Sequence, residues 1–114
     1  MNTELKIPLA IQTDVDEIRE WASKKPFVKS VHIFGSHITG GKNPNDLDVA
    51  IEIDPLPGDE NAQTTWICES RKWNEELAQK LEHKLDLERY DQNGNPTIKN
   101  GLAKGSILIY ERKT

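Results

Sequence analysis

From Asp46 to Ile53 the chain reads DLDVAIEI, with polar and apolar residues alternating almost without a break. Only an extended strand puts every second side chain on one face. Leu47, Val49, Ile51 and Ile53 therefore line a core, while Asp46, Asp48, Ala50 and Glu52 turn the other way. A sheet with one apolar and one acidic face follows, and its apolar face has to be covered by helices.

The rest of the chain supplies the cover. TDVDEIREWASKK (13–25) predicts a first helix, with Thr13 as its cap and Asp16 at the third helical position. Val15, Ile18, Trp21 and Ala22 form its apolar stripe, and Pro26 ends it. FVKSVHIF (27–34) is a first strand rich in β-branched and aromatic residues. After DLDVAIEI and the proline-rich loop DPLPGDE, a longer helix is expected over 61–83. Trp66, Ser70, Trp73, Leu77 and Leu81 recur there at spacings of three and four. KLDLERY (84–90) reads as a third strand with Asp86 and Glu88 on one face. Asn95, Pro96 and Gly105 then punctuate a short helix, and SILIYE (106–111) closes the chain as a last strand. The expected architecture is α+β in two layers: a small mixed sheet of four to five strands with helices on one face and the acidic face open. All of it forms one domain over residues 1–114.

Composition removes several classes. A net charge of −4 in 114 residues argues against sequence-independent nucleic-acid binding, which needs a basic face. The lysines at 24, 25 and 29, and those at 99 and 104, read as solvated charges. Cys68 stands alone, so neither a disulfide framework nor a thiolate zinc site is expected. No apolar run is long enough to span a membrane, and the N-terminus lacks the layout of a signal peptide, so a cytoplasmic location is expected.

The acidic face calls for a chemical reason. Side chains at i and i+2 of a strand lie about 6.5–7 Å apart on the same side. Two carboxylates there repel each other and gain nothing from packing. A hard divalent cation relieves that cost, because Mg²⁺ takes carboxylate oxygens and shares the rest of its shell with water and phosphate. A third acid from a neighbouring strand, Asp86, would complete a site for two ions, which clamp the attacking and leaving oxygens of a phosphoryl displacement. Gly35-Ser36, at the end of the preceding strand, lets backbone N–H groups and a hydroxyl approach a phosphate closely.

FGSHITGGKNPNDLDVAI resembles the signature of the DNA polymerase beta-like nucleotidyltransferases, specifically the minimal nucleotidyltransferases (MNT) of prokaryotes. The resemblance is strong from Phe27 to about Ile53 and extends more weakly to KLDLERY and GSILIYE. It implies the nucleotidyltransferase fold, with Gly35 and Ser36 seating the β- and γ-phosphates of a nucleoside triphosphate, ATP being the favoured donor. Asp46 and Asp48 would hold two Mg²⁺ ions. Asp86 would share one of them and draw off the proton of an acceptor hydroxyl, with Glu88 on the same face as its rival. His37 stands where many relatives carry an arginine, and the loop before Asp46 is slightly shorter than in many members. Small members of this family resemble antitoxins paired with HEPN-family ribonuclease toxins, and some attach AMP to a tyrosine of the toxin.

That resemblance makes the chain an Mg-dependent nucleotidyltransferase acting on a partner protein as the antitoxin of such a pair. A chain this short leaves little room for an acceptor domain, so another protein or a second copy is expected to complete the acceptor site. Two rivals remain: a catalytically degenerate antitoxin that neutralises its toxin by contact alone, and a small-molecule transferase working as a homodimer. Other motifs fail. GSHITGGKN misses P-loop spacing and leads into a strand rather than a helix, and DQNGN lacks the closing glutamate of a calcium loop. His32 and His83 read as satisfied structural histidines, and Trp21, Trp66 and Trp73 as core.

Overall fold

The computed structural model describes residues 7–39, 46–91 and 96–112. A 3-10 turn, Leu9–Ile11, runs directly into α1, Gln12–Ser23. Thr13 therefore lies inside the first helical turn and is not the cap. Ile11 occupies that position without a side-chain cap bond, because the turn before it, closed by Ile11 N–H donating to Pro8 O at 3.1 Å, already leads the chain in. Strand β1, Val28–Phe34, is followed by a single helical turn, α2, Ser36–Thr39, which hydrophobic periodicity does not reveal. Strand β2 is Leu47–Ile53, and helix α3 is Ala62–Ala78. Asn61 caps α3, its side-chain oxygen accepting from the Thr64 N–H at 2.9 Å.

Helix α3 ends well short of His83, although the residues beyond it favour helix. Lys80 N–H donates to Leu77 O at 2.8 Å, and farther on Glu82 and His83 give their N–H groups to Asp14 of α1. A tertiary acceptor overrides local propensity here. Strand β3 is Leu85–Arg89, α4 is Pro96–Lys104 and β4 is Ser106–Glu111. Pro96 opens α4 as the sequence predicts, whereas the cap assigned to Asn95 and the DQNGN turn beyond Asp91 lie outside the described residues.

The strands form one sheet in the order β3-β2-β1-β4. β1 is antiparallel to both β2 and β4, while β2 and β3 run parallel, joined by the crossover that contains α3. The alternation in DLDVAIEI holds. Leu47, Val49 and Ile51 are fully buried with Val28, Val31 and Ile33 beneath Val15, Ile18, Trp21, Trp73 and Leu77. Trp73 anchors this layer: Phe27 stacks on it at 4.7 Å and Trp21 meets it edge-on at 6.4 Å. Trp66 packs partly buried at its margin, so all three tryptophans serve the core.

The lysines near the start of β1 are paired: Lys24 with Glu20 at 3.0 Å, Lys25 with Glu76 at 3.2 Å and Lys29 with Asp54 at 3.9 Å. The opposite face of the sheet is acidic but not wholly bare. Gly101 of α4 lies within a Cβ's reach of the Phe34 ring, and Phe34 pairs across the sheet with Asp48. Among the described residues no helix is long and apolar enough to cross a membrane.

Candidate functional site

Strand β1 ends at Gly35, whose φ of +81° is a left-handed conformation that glycine adopts freely. Its carbonyl accepts the N–H groups of Ile38 and Thr39, each at 3.0 Å, and the Thr39 hydroxyl at 3.2 Å. Gly35 thus opens α2, with Ser36 as its first residue. A Cβ at position 35 would fall on the Asp48 carboxylate, overlapping Oδ2 and standing 2.9 Å from Cγ. The absence of a side chain there lets the turn and the acid strand touch.

Asp48 is paired in parallel register with Asp86, and Ala50 with Glu88, so both acids of β3 face the same side as Asp48. Asp46 immediately precedes β2 and is half-buried. This crowding shows in the titration of Asp48, whose carboxyl is pushed up to about 6. Burial contributes most, followed by the charge of Asp86 and a hydrogen bond with it, then the charges of Asp46 and Glu88. Glu88 is raised as well, by burial and then by Asp86. Among the described residues, no ion pair involves Asp46, Asp48, Asp86 or Glu88. Arg89, the adjacent cation, turns to Asp91 at 3.4 Å.

A cluster of acids with no counter-charge among the described residues offers hard oxygen donors, and the raised titration of Asp48 and Glu88 is what a divalent ion relieves. The donor chemistry of Asp48 and Asp86 therefore fits Mg²⁺. Among the described residues, however, no group of three His, Cys, Asp or Glu side chains closes around a common point. Asp48 and Asp86 instead stand in register on adjacent strands, where the charge of Asp86 helps to keep the Asp48 carboxyl protonated.

The histidines meet expectation only in part. The ring of His37 meets that of His83 edge-on, centroids 5.0 Å apart, and among the described residues its Nε2 is enclosed without a hydrogen-bond partner. His83 lies beyond α3, with Nδ1 2.7 Å from Asp14 Oδ2, so its structural reading holds. His32 is not fully satisfied, since among the described residues its Nδ1 is enclosed without a partner. Burial lowers its pKa, and Glu52 and Glu111 partly oppose the shift. Sequence reasoning missed Asp14, a carboxylate only 1% exposed. The signal was present: Asp14 precedes Ile18, Trp21 and Ala22 by four, seven and eight residues, placing it on the apolar stripe of α1.

A cleft of about 470 Å³ runs between α3 and β3, lined by Trp66, Arg71, Asn74, Glu75, Leu87 and Glu88. It meets the acidic cluster through Glu88, two residues from Asp86 on the same face of β3.

A family model described as Polymerase beta, Nucleotidyltransferase matches residues 16–114. No curated protein matches. Among solved structures, a crystal structure of a toxin–antitoxin with AMP-PNP aligns with a TM-score of 0.61 at 17% identity, covering 87% of this chain and 74% of the other. A crystal structure of the toxin–antitoxin MntA-HepT aligns with a TM-score of 0.59 at 16% identity, covering 89% and 73%. At these identities the likeness is one of fold.

Proposed function

The chain belongs to the polymerase beta-type nucleotidyltransferase family, and from that premise we propose that it moves AMP from ATP onto an acceptor hydroxyl of a partner protein. The acceptor oxygen attacks the α-phosphorus, the bond to pyrophosphate breaks, and the hydroxyl proton passes to the Asp86 carboxylate. Gly35 and Ser36 seat the outer phosphates. Gly35 carries no side chain, so the donor can lie close to the backbone, and Ser36 adds a hydroxyl donor. Asp46, Asp48 and Asp86 would hold Mg²⁺, which when bound neutralises charge on the transferring phosphate.

The observation that carries this reading is the register of Asp48 with Asp86 beside Gly35, acids crowded enough to lift Asp48 to about 6. The partner is proposed to be a HEPN-family toxin, since the structures aligned above are toxin–antitoxin complexes. The test is to incubate the chain with labelled ATP, Mg²⁺ and that toxin, then weigh the toxin. A gain of one AMP, lost with Asp48→Ala, supports transfer. An unmodified toxin that is nevertheless neutralised supports the second reading, an antitoxin acting by contact alone. Two features favour that rival: no three acids close around one point among the described residues, and His37 faces inward.

A further inference from the structure

Helix α2 has only four residues, and a single helical turn has little stability of its own. Something outside it must hold Ser36 and His37 in place. The segment from Glu82 to Lys84, between α3 and β3, is positioned to do so.

Asp14 grips that segment from α1. Its Oδ1 accepts the Glu82 N–H at 2.7 Å, and its Oδ2 accepts the His83 N–H at 3.1 Å and pairs with His83 Nδ1 at 2.7 Å. A buried carboxylate satisfied by several donors is held firmly, and so is the ring bound to it. From this fixed base two contacts reach the candidate site. Lys84 O accepts the Leu47 N–H at 2.7 Å, fixing the residue between Asp46 and Asp48. The His83 ring meets His37 at 81°, supporting the residue next to Ser36.

We infer that Asp14 and His83 are positioning residues for the nucleotide, acting through His37 on the Gly35–Ser36 turn and through Lys84 on the start of β2. The inference rests on the transferase reading for its ligand, but not for the brace itself. His37 then works as a handle on α2 through its contact with His83.

Three variants of the full chain separate the contacts. His83→Ala removes both side-chain contacts of His83, with Asp14 and with His37, His83→Phe keeps a ring edge against His37, and His83→Asn keeps an amide donor for Asp14 without the ring. Binding of a fluorescent nonhydrolysable ATP analogue with Mg²⁺ is measured beside the melting temperature. The Ala variant is expected to bind about tenfold more weakly. Phe should recover most of the affinity, and Asn should stay weak even where it restores the melting temperature. Wild-type affinity in all three, or affinity that simply follows melting temperature, overturns the inference. Hydrogen exchange of the Ser36–Thr39 amides, read without nucleotide, separates the two layers. If wild type binds no analogue, the transferase reading falls. Faster exchange in Ala than in Phe still supports the brace, while equal exchange in all variants overturns it.

Discussion

The Asp48 carboxylate occupies the space where a side chain at Gly35 would have to begin. Gly35 directly follows β1 and Asp48 lies in β2, so the turn and the acid strand are fitted to each other at the level of single atoms.

Gly35→Ala should therefore fail twice, by forcing a φ of +81° on a residue with a Cβ and by colliding with Asp48. A loss of about 2–3 kcal/mol in denaturant unfolding is expected, together with lost transfer. Gly58 provides the control: its φ is +93°, but a Cβ there meets nothing within 4 Å. Gly58→Ala should cost only about 1 kcal/mol and leave transfer unchanged. Equal costs would mean that Asp48 moves aside freely.

Asp48→Asn should abolish transfer yet stabilise the metal-free protein near neutral pH. The folded chain holds the Asp48 proton up to about 6 against an ordinary value of 3.8. This group's stabilising contribution is complete below 3.8 and is lost as pH rises through about 6. Above that, ionised Asp48 destabilises the fold, by on the order of 1 kcal/mol once solvent screening of a partly exposed group is allowed for. The advantage of the Asn variant over wild type should be present near pH 7.5 and vanish toward pH 4, as read by paired urea titrations. An advantage independent of pH would point to packing.

Magnesium should raise the melting temperature of wild type more at about pH 7.5 than at about pH 5, because binding must displace the proton from Asp48. The gain should disappear in Asp48→Asn and in Asp86→Asn, and chelation should stop transfer. The same thermal shift in both variants would place the ion elsewhere.

Asp86 and Glu88 share a face but not a position, since Asp86 is in register with Asp48 and Glu88 with Ala50. Asp86→Asn should lower the transfer rate by about a hundredfold or more, and Glu88→Gln by only about threefold. A reversed order in single-turnover kinetics would make Glu88 the proton acceptor.

The legible part of the molecule was local. DLDVAIEI permits one strand orientation, and the buried Leu47, Val49 and Ile51 follow it. That Asp86 would join Asp48 was expected provided the two strands were neighbours, and that condition is set by a crossover that no local pattern encodes. The early end of α3 and the inward turn of His37 escaped for a related reason. Both depend on the segment at Glu82–His83, held by a carboxylate far away in sequence. Asp14 was readable in principle from its place on the α1 stripe, but a charged residue there is easily assigned to solvent.

Among the described strands, β3 has a neighbour on one side only, whereas β1 and β2 are each flanked on both. Asp48 thus belongs to the sheet's interior, in register with Phe34 on one hand and Asp86 on the other, with Gly35 directly following Phe34, and Asp86 stands on the sheet's outermost strand. On the proposed reading, such a division would let the donor end of the reaction stay constant while the boundary strand changes its side chains, length or lateral company. The acceptor would then be exchanged by rewriting a single margin.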